Sequence, residues 1–277
     1  MAKNREETKQ ELDAEKNIEE VEEIIPKEVE SGIVLLEEGI PLPRVIAPEG
    51  WQPKTQLGKD VLLGKITNID QLFSEGIKIT EPGIVDTLIS NLENEIILIG
   101  GSTGKGGGIR RTPTRRTTRM HKSGRRFKIS VMIVAGNKDG YVGLGLSSGP
   151  PGKHREVIQK ALNRAKLNVI PIRRGCGSWE CKCSTSHSIP FAVEGKSGSV
   201  VIQLKPAPKG VGLVVSNEVK KLMRLGGIRD IWCKTRGKTQ SRVNLLKAAF
   251  ETLKKLNRFK TREEYEVVVG LKLGRAI

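Results

Sequence analysis

Between residues 101 and 128 stand ten lysines and arginines and no acid: Lys105, Arg110, Arg111, Arg115, Arg116, Arg119, Lys122, Arg125, Arg126 and Lys128. Such a run repels itself in any compact fold unless an anion lies beside it. It leads directly into a pattern of period two. Phe127, Ile129, Val131 and Ile133 fall on one side of an extended chain, and Lys128, Ser130, Met132 and Val134 on the other. That alternation predicts a strand with one face in a core. Asn137-Lys138-Asp139-Gly140 supplies turn chemistry, and residues 141–144 return as a second strand, giving a β-hairpin. A sheet that grows out of an acid-free cationic tract is built to meet nucleic acid. The glycines from Gly100 to Gly108, with no apolar periodicity among the arginines that follow, predict a flexible hinge and an unstructured basic loop over 100–120.

Charge elsewhere sharpens this. The chain of 277 residues carries 48 Lys plus Arg against 31 Asp plus Glu, a formal charge of +17. Residues 1–50 hold six basic and fourteen acidic side chains, so the remaining body has 42 basic against 17 acidic. An acidic, poorly ordered arm over 1–50, with one amphipathic piece near 12–25, therefore precedes a strongly cationic body that calls for a polyanionic partner. No apolar run approaches the ~20 residues of a membrane span, and the first residues lack the apolar segment of a secretory signal. With three of the four cysteines packed into one loop, a reducing, cytoplasmic setting is expected.

The body reads as α+β. Residues 51–99 predict a helical extension of three short helices: around Leu57–Leu62 ending at Gly64, from Asn68 to Gly76, and opening at Glu81-Pro82, followed by a strand over 95–99. After the hairpin, a helix is expected over 153–167, with Val157, Ile158, Ala161, Leu162 and Ala165 as its apolar stripe, then a strand over 169–172. This unit, 121–186, is one helix against a sheet. A second unit, 187–260, predicts strands over 189–194, 199–205 and 228–233, with a turn at Gly195-Lys196-Ser197-Gly198 between the first two. It also predicts a helix capped by Ser216 and closed by Gly226-Gly227, and a longer helix capped by Ser241. The remaining 261–277 form a tail in which 266–273 suggest a strand.

Enzyme chemistry finds no footing. His121, His154 and His187 sit in loops with no acid nearby in sequence to orient them. The Gly100–Gly108 run fails the phosphate-loop pattern at Ile99 and Gly106, and Gly143-Leu144-Gly145 places Ser148 where a dinucleotide fingerprint needs glycine, so no nucleotide is expected. Trp179 and Trp232 are expected to pack in the core or against loops. One constellation does carry chemistry. Cys176, Cys181, Cys183 and His187 form Cys-x4-Cys-x-Cys-x3-His, three thiolates and an imidazole within twelve residues, the donor set of a tetrahedral zinc ion. The same loop also reads as reduced thiols near RNA, and Cys233 as a small hydrophobe.

Several blocks together, WQPKTQLG, GNKDGYVGLG, NRAKLNVIPIRRGCGSWECKC, HSIPF, GKSGSVVIQLKPAPKGVGLV, GGIRDIWCKTRGKT and NLLKAAFETLKKL, resemble small-subunit ribosomal protein number five, the S-five family, in the form shared by archaeal and eukaryotic ribosomes. The resemblance implies a double-stranded-RNA-binding-like α/β domain over 121–186 and the family's C-terminal α/β domain over 187–260. It implies a structural, non-enzymatic constituent of the small ribosomal subunit, cytoplasmic and ribosome-bound, beside small-subunit proteins four and eight. The family lines the channel by which mRNA enters and supports translational accuracy. Matching loops put Arg125, Arg126, Lys138, Arg173, Arg174 and Lys209 toward rRNA; the residues of the basic loop, Arg110, Arg111, Arg115, Arg116, Arg119 and Lys122, join them on charge alone. Residues 146–153 depart from the family's lysine-alanine loop, and the Gly/Arg tract and acidic arm look like insertions. A ribosome-independent RNA chaperone or RNA-processing factor is the alternative function.

Overall fold

Pairing along a single thirteen-residue strand organises the molecule. The computed structural model describes residues 51–274 except 90, 104–107 and 182. All of them belong to one compact unit, Ala47–Ile277. The acidic arm with its helical piece, Lys105, Lys182 and residues 275–277 lie outside the described residues.

The chain enters through three helices, α1 (Gln56–Leu62), α2 (Ile69–Glu75) and α3 (Pro82–Leu88). Thr55 Oγ1 caps α1 by accepting from the Gly58 amide at 3.2 Å, Gly76 in the left-handed region ends α2, and Pro82 occupies the first turn of α3. Their apolar faces bury Val61, Leu72, Ile84 and Val85 around Tyr141 and Val169. The extension thus has a small cluster of its own, which closes on the end of the main sheet through Tyr141 and Val169. Trp51 packs here as well, its Nε1 donating to Glu81 Oε2 at 3.1 Å.

The first sheet follows: β1 (Glu93–Ile97), β2 (Gly100–Thr103), β3 (Ile109–Thr112), β4 (Thr114–His121), β5 (Gly124–Gly136), β6 (Tyr141–Gly149), then α4 (His154–Leu167) and β7 (Val169–Pro171). β6 runs along one edge of β5, and β7 pairs with β6. The other edge of β5 is shared in tandem: β1 ends with Ile97 opposite Met132, and β4 begins with Thr114 opposite Val131. Between them β2 and β3 pair with each other as a separate hairpin. The described part of the basic tract is therefore strand, where sequence pattern suggested a flexible hinge and an unstructured loop. Cross-strand backbone hydrogen bonds order it without apolar periodicity, because β5 supplies a ready edge.

β5 is buried on both faces, not one. Ile129, Val131 and Ile133 pack on Val157 and Ala161 of α4. Met132 and Val134 face a larger core with Ile172, Leu222, Met223 and Leu225. The glycines of Gly143-Leu144-Gly145 serve this packing. A Cβ at Gly145 would lie 2.0 Å from the Ala161 carbonyl oxygen, and one at Gly143 2.1 Å from that of Ala165. They let α4 approach the sheet.

The second half comprises β8 (Arg173–Arg174), β9 (Val193–Ser197), β10 (Val200–Pro206), β11 (Leu213–Val214), α5 (Asn217–Leu225), β12 (Ile231–Arg236), α6 (Arg242–Leu256), α7 (Glu263–Val269) and β13 (Lys272–Leu273). Its sheet has the order β11-β12-β10-β9, with β11 parallel to β12. α5 contributes Val219, Leu222 and Met223 to a core that also holds Ile202 and Leu204 of this sheet, Leu246 and Leu253 of α6, and the inner face of β5. The two sheets therefore share one core. Buried Glu218 fastens them: its Oε2 accepts from the Leu98 amide at 3.1 Å, and its Oε1 from Arg242 Nη1 at 2.9 Å.

Several boundaries move. The strand expected over 95–99 is β1, two residues earlier. The strand expected over 189–194 is β9, because Pro190 has no amide to donate and Gly195, expected in a turn, packs under α6, where a Cβ would meet Thr252 Oγ1 at 2.3 Å. Of the expected turn, residues 195–197 are strand and only Gly198, φ +59°, turns the chain. The strand expected over 228–233 is β12, since Arg229 and Asp230 both turn their amides to the His187 carbonyl. The strand expected over 266–273 is mostly helix α7, closed by Gly270 in the left-handed region, with only β13 extended. The branched run Val267 to Val269 is helical there because Val269 is buried and its carbonyl accepts from the Cys176 amide, tertiary contacts that override propensity.

Replacing Gly145 with Ala should lower stability by about 3 kcal/mol, the upper range for overpacking. A urea unfolding curve would show this as a lower midpoint at unchanged slope.

Candidate nucleic-acid interface and metal centre

N-terminal to Ile129, β5 has no β6 beside it and pairs with β4 alone, as a two-stranded ribbon whose turn lies between His121 and Gly124. Every residue of β4 after Thr114 is exposed. One side of the ribbon carries Arg115, Thr117 and Arg119, opposite Ser130, Lys128 and Arg126. Arg119 and Arg126 are thus directly paired like charges, which costs stability when no anion is present. The other side carries Arg116, Thr118 and Met120 opposite Ile129, Phe127 and Arg125. Here Phe127 organises the cations: the Arg116 guanidinium sits 3.7 Å and that of Arg125 5.1 Å from its ring centroid. Arg126 Nη2 donates to Ser123 Oγ at 2.9 Å near the tip, beside Lys122. Arg110 and Arg111 lie exposed on β3. Among the described residues none of these cations has a carboxylate partner within ion-pair distance.

The four other expected contact residues lie outside the ribbon. Lys138 adopts φ +62° in the β5–β6 turn and pairs with Glu93. Arg173 donates to the Phe259 carbonyl. Arg174, only 7% exposed, donates from Nη2 to the carbonyls of Asp139 at 2.8 Å and Gly274 at 3.2 Å, and its Nε has no partner among the described residues. Burial pulls its pKa below the usual guanidinium value, the nearby Asp139 opposing and Arg229 reinforcing that shift. The two arginines therefore anchor the chain around residues 259 and 274 through backbone carbonyls. Lys209 remains exposed on the loop after β10.

Cys176, Cys181, Cys183 and His187 converge, with one ligand atom from each lying within 4.8 Å of the others. Backbone geometry brings them together. Gly175 and Ser188 exchange both amide hydrogen bonds, at 2.9 and 3.1 Å, and the Cys176 amide donates to the Val269 carbonyl of α7 at 2.8 Å. Gly177 permits the close return: a Cβ there would lie 1.8 Å from the Pro190 carbonyl oxygen. Cys176 is buried and the other two cysteines half-buried. Burial pushes the Cys176 thiol up to about 11. For Cys183 burial acts in the same sense, but hydrogen bonds from Thr185 and the neighbouring thiols outweigh it and bring the pKa down to about 6.

His187 corrects the expectation that no acid orients the histidines. Its Nδ1 lies 2.8 Å from Asp230 Oδ2, and both residues are buried. A carboxylate only accepts, so Nδ1 carries a proton, and in the neutral imidazole Nε2 is the nitrogen with a lone pair. That Nε2 is buried and has no hydrogen-bond partner among the described residues. A carboxylate-oriented imidazole whose other nitrogen is unpaired beside three sulfurs is the arrangement of a metal-ligating histidine. The cluster can hold a metal ion. Asp230 Oδ1 accepts from the amides of Gly210 and Gly212 at 3.1 and 2.8 Å, so one carboxylate joins the cysteine loop to the loop bearing Lys209. Sequence reasoning missed Asp230. Its only sign was an acid in an otherwise basic stretch, GGIRDIWCK. Trp179, expected to pack, is 85% exposed, while Trp232 is half-buried on β12.

Fold and site define a class: two α/β sheet layers sharing one core, with a cationic two-stranded ribbon projecting from it and a Cys/His cluster at the loop before the second sheet. The profile described as "Ribosomal protein S5, N-terminal domain" matches residues 113–173, and "Ribosomal protein S5, C-terminal domain" matches residues 195–265. A protein of Nanoarchaeum equitans named "Small ribosomal subunit protein uS5" is 48% identical over 212 residues, covering 76% of this chain and 89% of that one. Proteins of the same name from Methanothermobacter thermautotrophicus and Methanocaldococcus jannaschii are 47% and 43% identical, covering 78% and 82% of this chain and 92% and 97% of theirs. The chain belongs to the ribosomal protein S5 family and is a structural constituent of the ribosome, not an enzyme.

Replacing Asp230 with Ala removes the acceptor of three donors at a buried site and should destabilise the protein by about 3 kcal/mol. The shift would be read as a lower unfolding midpoint in denaturant. Asp230→Asn should cost less, because Oδ1 survives for the two glycine amides.

Proposed function

We propose that this chain binds small-subunit rRNA through its backbone and shape, with the β4–β5 ribbon as principal contact. The observation that carries this is the ribbon's row of unpaired arginines and lysines, in which Arg119 directly faces Arg126. That arrangement is relieved only by an external polyanion. Arg110, Arg111, Arg115, Arg116, Arg119, Lys122, Arg125 and Arg126 contact phosphates, and Lys209 does so from the second half. Aromatic residues are only 4% of the chain, too few for an extended stacking platform. Following the family resemblance, the protein sits in the cytoplasm on the ribosome beside small-subunit proteins four and eight. There it lines the channel by which mRNA enters and supports accurate decoding. Its two domains are the double-stranded-RNA-binding-like unit over 121–186 and the C-terminal unit over 187–260. The helical extension 51–99 and the basic segment 100–120 precede them, with an acidic arm over 1–50 and a tail over 261–277.

The metal is zinc, held by Cys176, Cys181, Cys183 and His187 Nε2. Three thiolates and one imidazole suit its tetrahedral preference, and a closed set without an open position makes the role structural. Bound there, zinc would tie the cysteine loop to α7 and, through His187 and Asp230, to the loop bearing Lys209.

Sedimentation tests the assignment to the ribosome: the protein should travel with the small subunit through a high-salt gradient, whereas a free RNA chaperone or processing factor would stay at the top. For the ribbon and β3, replacing Arg110, Arg111, Arg115 and Arg116 with Ala should flatten the dependence of log K on log salt by up to ~0.9 for each phosphate no longer neutralised. An unchanged slope would remove the tract from the interface. For the metal, protein purified without chelator should carry about one zinc per chain, and the Cys181→Ser, Cys183→Ser double variant close to none. Asp230→Asn should weaken zinc roughly 10- to 100-fold, as loss of an orienting partner does. Less than about 0.2 zinc per chain in the parent would make the cysteines ordinary thiols.

A further inference from the structure

The three sulfurs of the cysteine loop meet in one cluster but are not equivalent. Cys176 is only 7% exposed, whereas Cys181 and Cys183 are half-buried. Cys176 is also fixed by its backbone. Its amide donates to the Val269 carbonyl at 2.8 Å, and the adjoining Gly175 exchanges both amide hydrogen bonds with Ser188. Its thiol donates to the Cys181 carbonyl at 3.5 Å. Cys183 stands on the open side, its Sγ 3.1 Å from Thr185 Oγ1 in a contact exposed to solvent. A hydroxyl there can donate to a thiolate and so stabilise it. Hydrogen bonds from both other thiols reach Cys176, that of Cys183 the stronger. The ligand atoms of the cluster all lie within 4.8 Å of one another. A disulfide holds its sulfurs ~2.05 Å apart, so closing one here takes a movement of at most ~3 Å. With Cys176 pinned, that movement falls on the segment of Cys183. The next residue, Ser184, is held at φ +46°, in the region that favours glycine, so the segment is already strained.

We propose that the cluster is a peroxide-responsive switch: Cys183 is oxidised, Cys176 closes a disulfide onto it, and the zinc ion is released. The release rests on the zinc reading above; the pairing of an open thiol with a buried one does not. Hydrogen peroxide is the oxidant, and the steps balance. The Cys183 sulfur attacks one peroxide oxygen, so that an S–O bond forms, the O–O bond breaks, and the departing hydroxide takes a proton to become water. Cys176 then attacks the Cys183 sulfur. The S–S bond forms, the S–O bond breaks, and a second hydroxide leaves as water. Two thiolates, one peroxide and two protons give one disulfide and two waters, the sulfurs losing the two electrons that peroxide gains. A bridge between Cys181 and Cys183 would have to close across a single residue, against the geometry a disulfide prefers. Once Cys176 and Cys183 are joined, only Cys181 and His187 remain as donors, too few for a closed tetrahedral site. Cys233, on β12 and packed against the core, lies outside the cluster and serves as an internal control.

The test uses the full chain as purified without chelator. The protein is treated with hydrogen peroxide and then quenched with catalase. Released zinc is read with a chromogenic chelator, and the state of each cysteine by differential alkylation and peptide mass. About one zinc should leave for each Cys176–Cys183 disulfide formed, and a thiol reductant with added zinc should restore both. Cys233 should stay reduced throughout. Cys183→Ser should slow the loss of the Cys176 thiol by ~10-fold or more, since the buried sulfur must then meet peroxide itself. Cys181→Ser keeps both reacting thiols and should still form the disulfide, which separates the reaction from disturbed folding or lowered zinc affinity. Zinc present in the parent, with Cys176 and Cys183 unlinked after peroxide, would overturn the switch and leave the metal reading intact. So would a bridge from Cys176 to Cys181, or Cys183 carried to sulfinic acid beside a free Cys176. A parent that holds no zinc before treatment would overturn the metal reading and the release with it.

Discussion

Everything in this molecule depends on β5 being paired on both edges and packed on both faces. Its C-terminal part, Ile129 to Gly136, takes β6 along one side, while β1 and β4 meet end to end on the other. α4 seals one face and α5, with the second sheet behind it, seals the other. Burial on both faces fixes register strongly, because a slip of one residue would carry Met132 and Val134 to the face that Val131 and Ile133 occupy, and the reverse. The N-terminal part then projects beyond that core as a ribbon with only β4 for company. A rigid root and a cationic, core-free tip are parts of one strand, so the tip is held in a defined direction without apolar packing of its own.

Much of this was legible in the chain. Period two found β5 and β6, and period 3.6 with its caps found α1 to α6, because those elements bury an apolar stripe whose spacing is local information. What escaped had non-local causes. The basic tract has no apolar rhythm, yet it is strand because β5 offers an edge. Met132 and Val134 looked like the outer face, since nothing nearby in sequence announces α5, far along the chain, as their cover. Gly195 looked like a turn residue, but its missing Cβ accommodates Thr252 of α6. The converging cysteines and histidine were visible as donor spacing. Asp230, which orients His187, was not, because the two are separated by 43 residues.

Charge and packing divide the work between the halves. The ribbon holds its cations apart from any described protein acid, so any phosphates bound there would gain contacts whose strength falls with salt. In the second half the acids are few and placed with care: Glu218 joins α5 to the chain after β1, and Asp230 joins two loops. Arg173 and Arg174, adjacent in sequence, hold backbone carbonyls where the chain passes Phe259 and Gly274. Basic residues here are therefore not interchangeable. Those on the exposed ribbon stand without a described carboxylate partner, while Arg173 and Arg174 donate to backbone carbonyls.

The pairing of Cys176 with Val269, and of β8 with β13, has a consequence for the order of assembly. Both halves can collapse around β5 and α6 from residues up to 256, but the cysteine loop waits for α7 and β13 before its last backbone partners exist. Contacts of such long sequence separation close late. A growing chain therefore carries three open thiols past a nearly finished fold. Of the three, Cys176 is buried in the finished fold, while Cys181 and Cys183 keep part of their surface open.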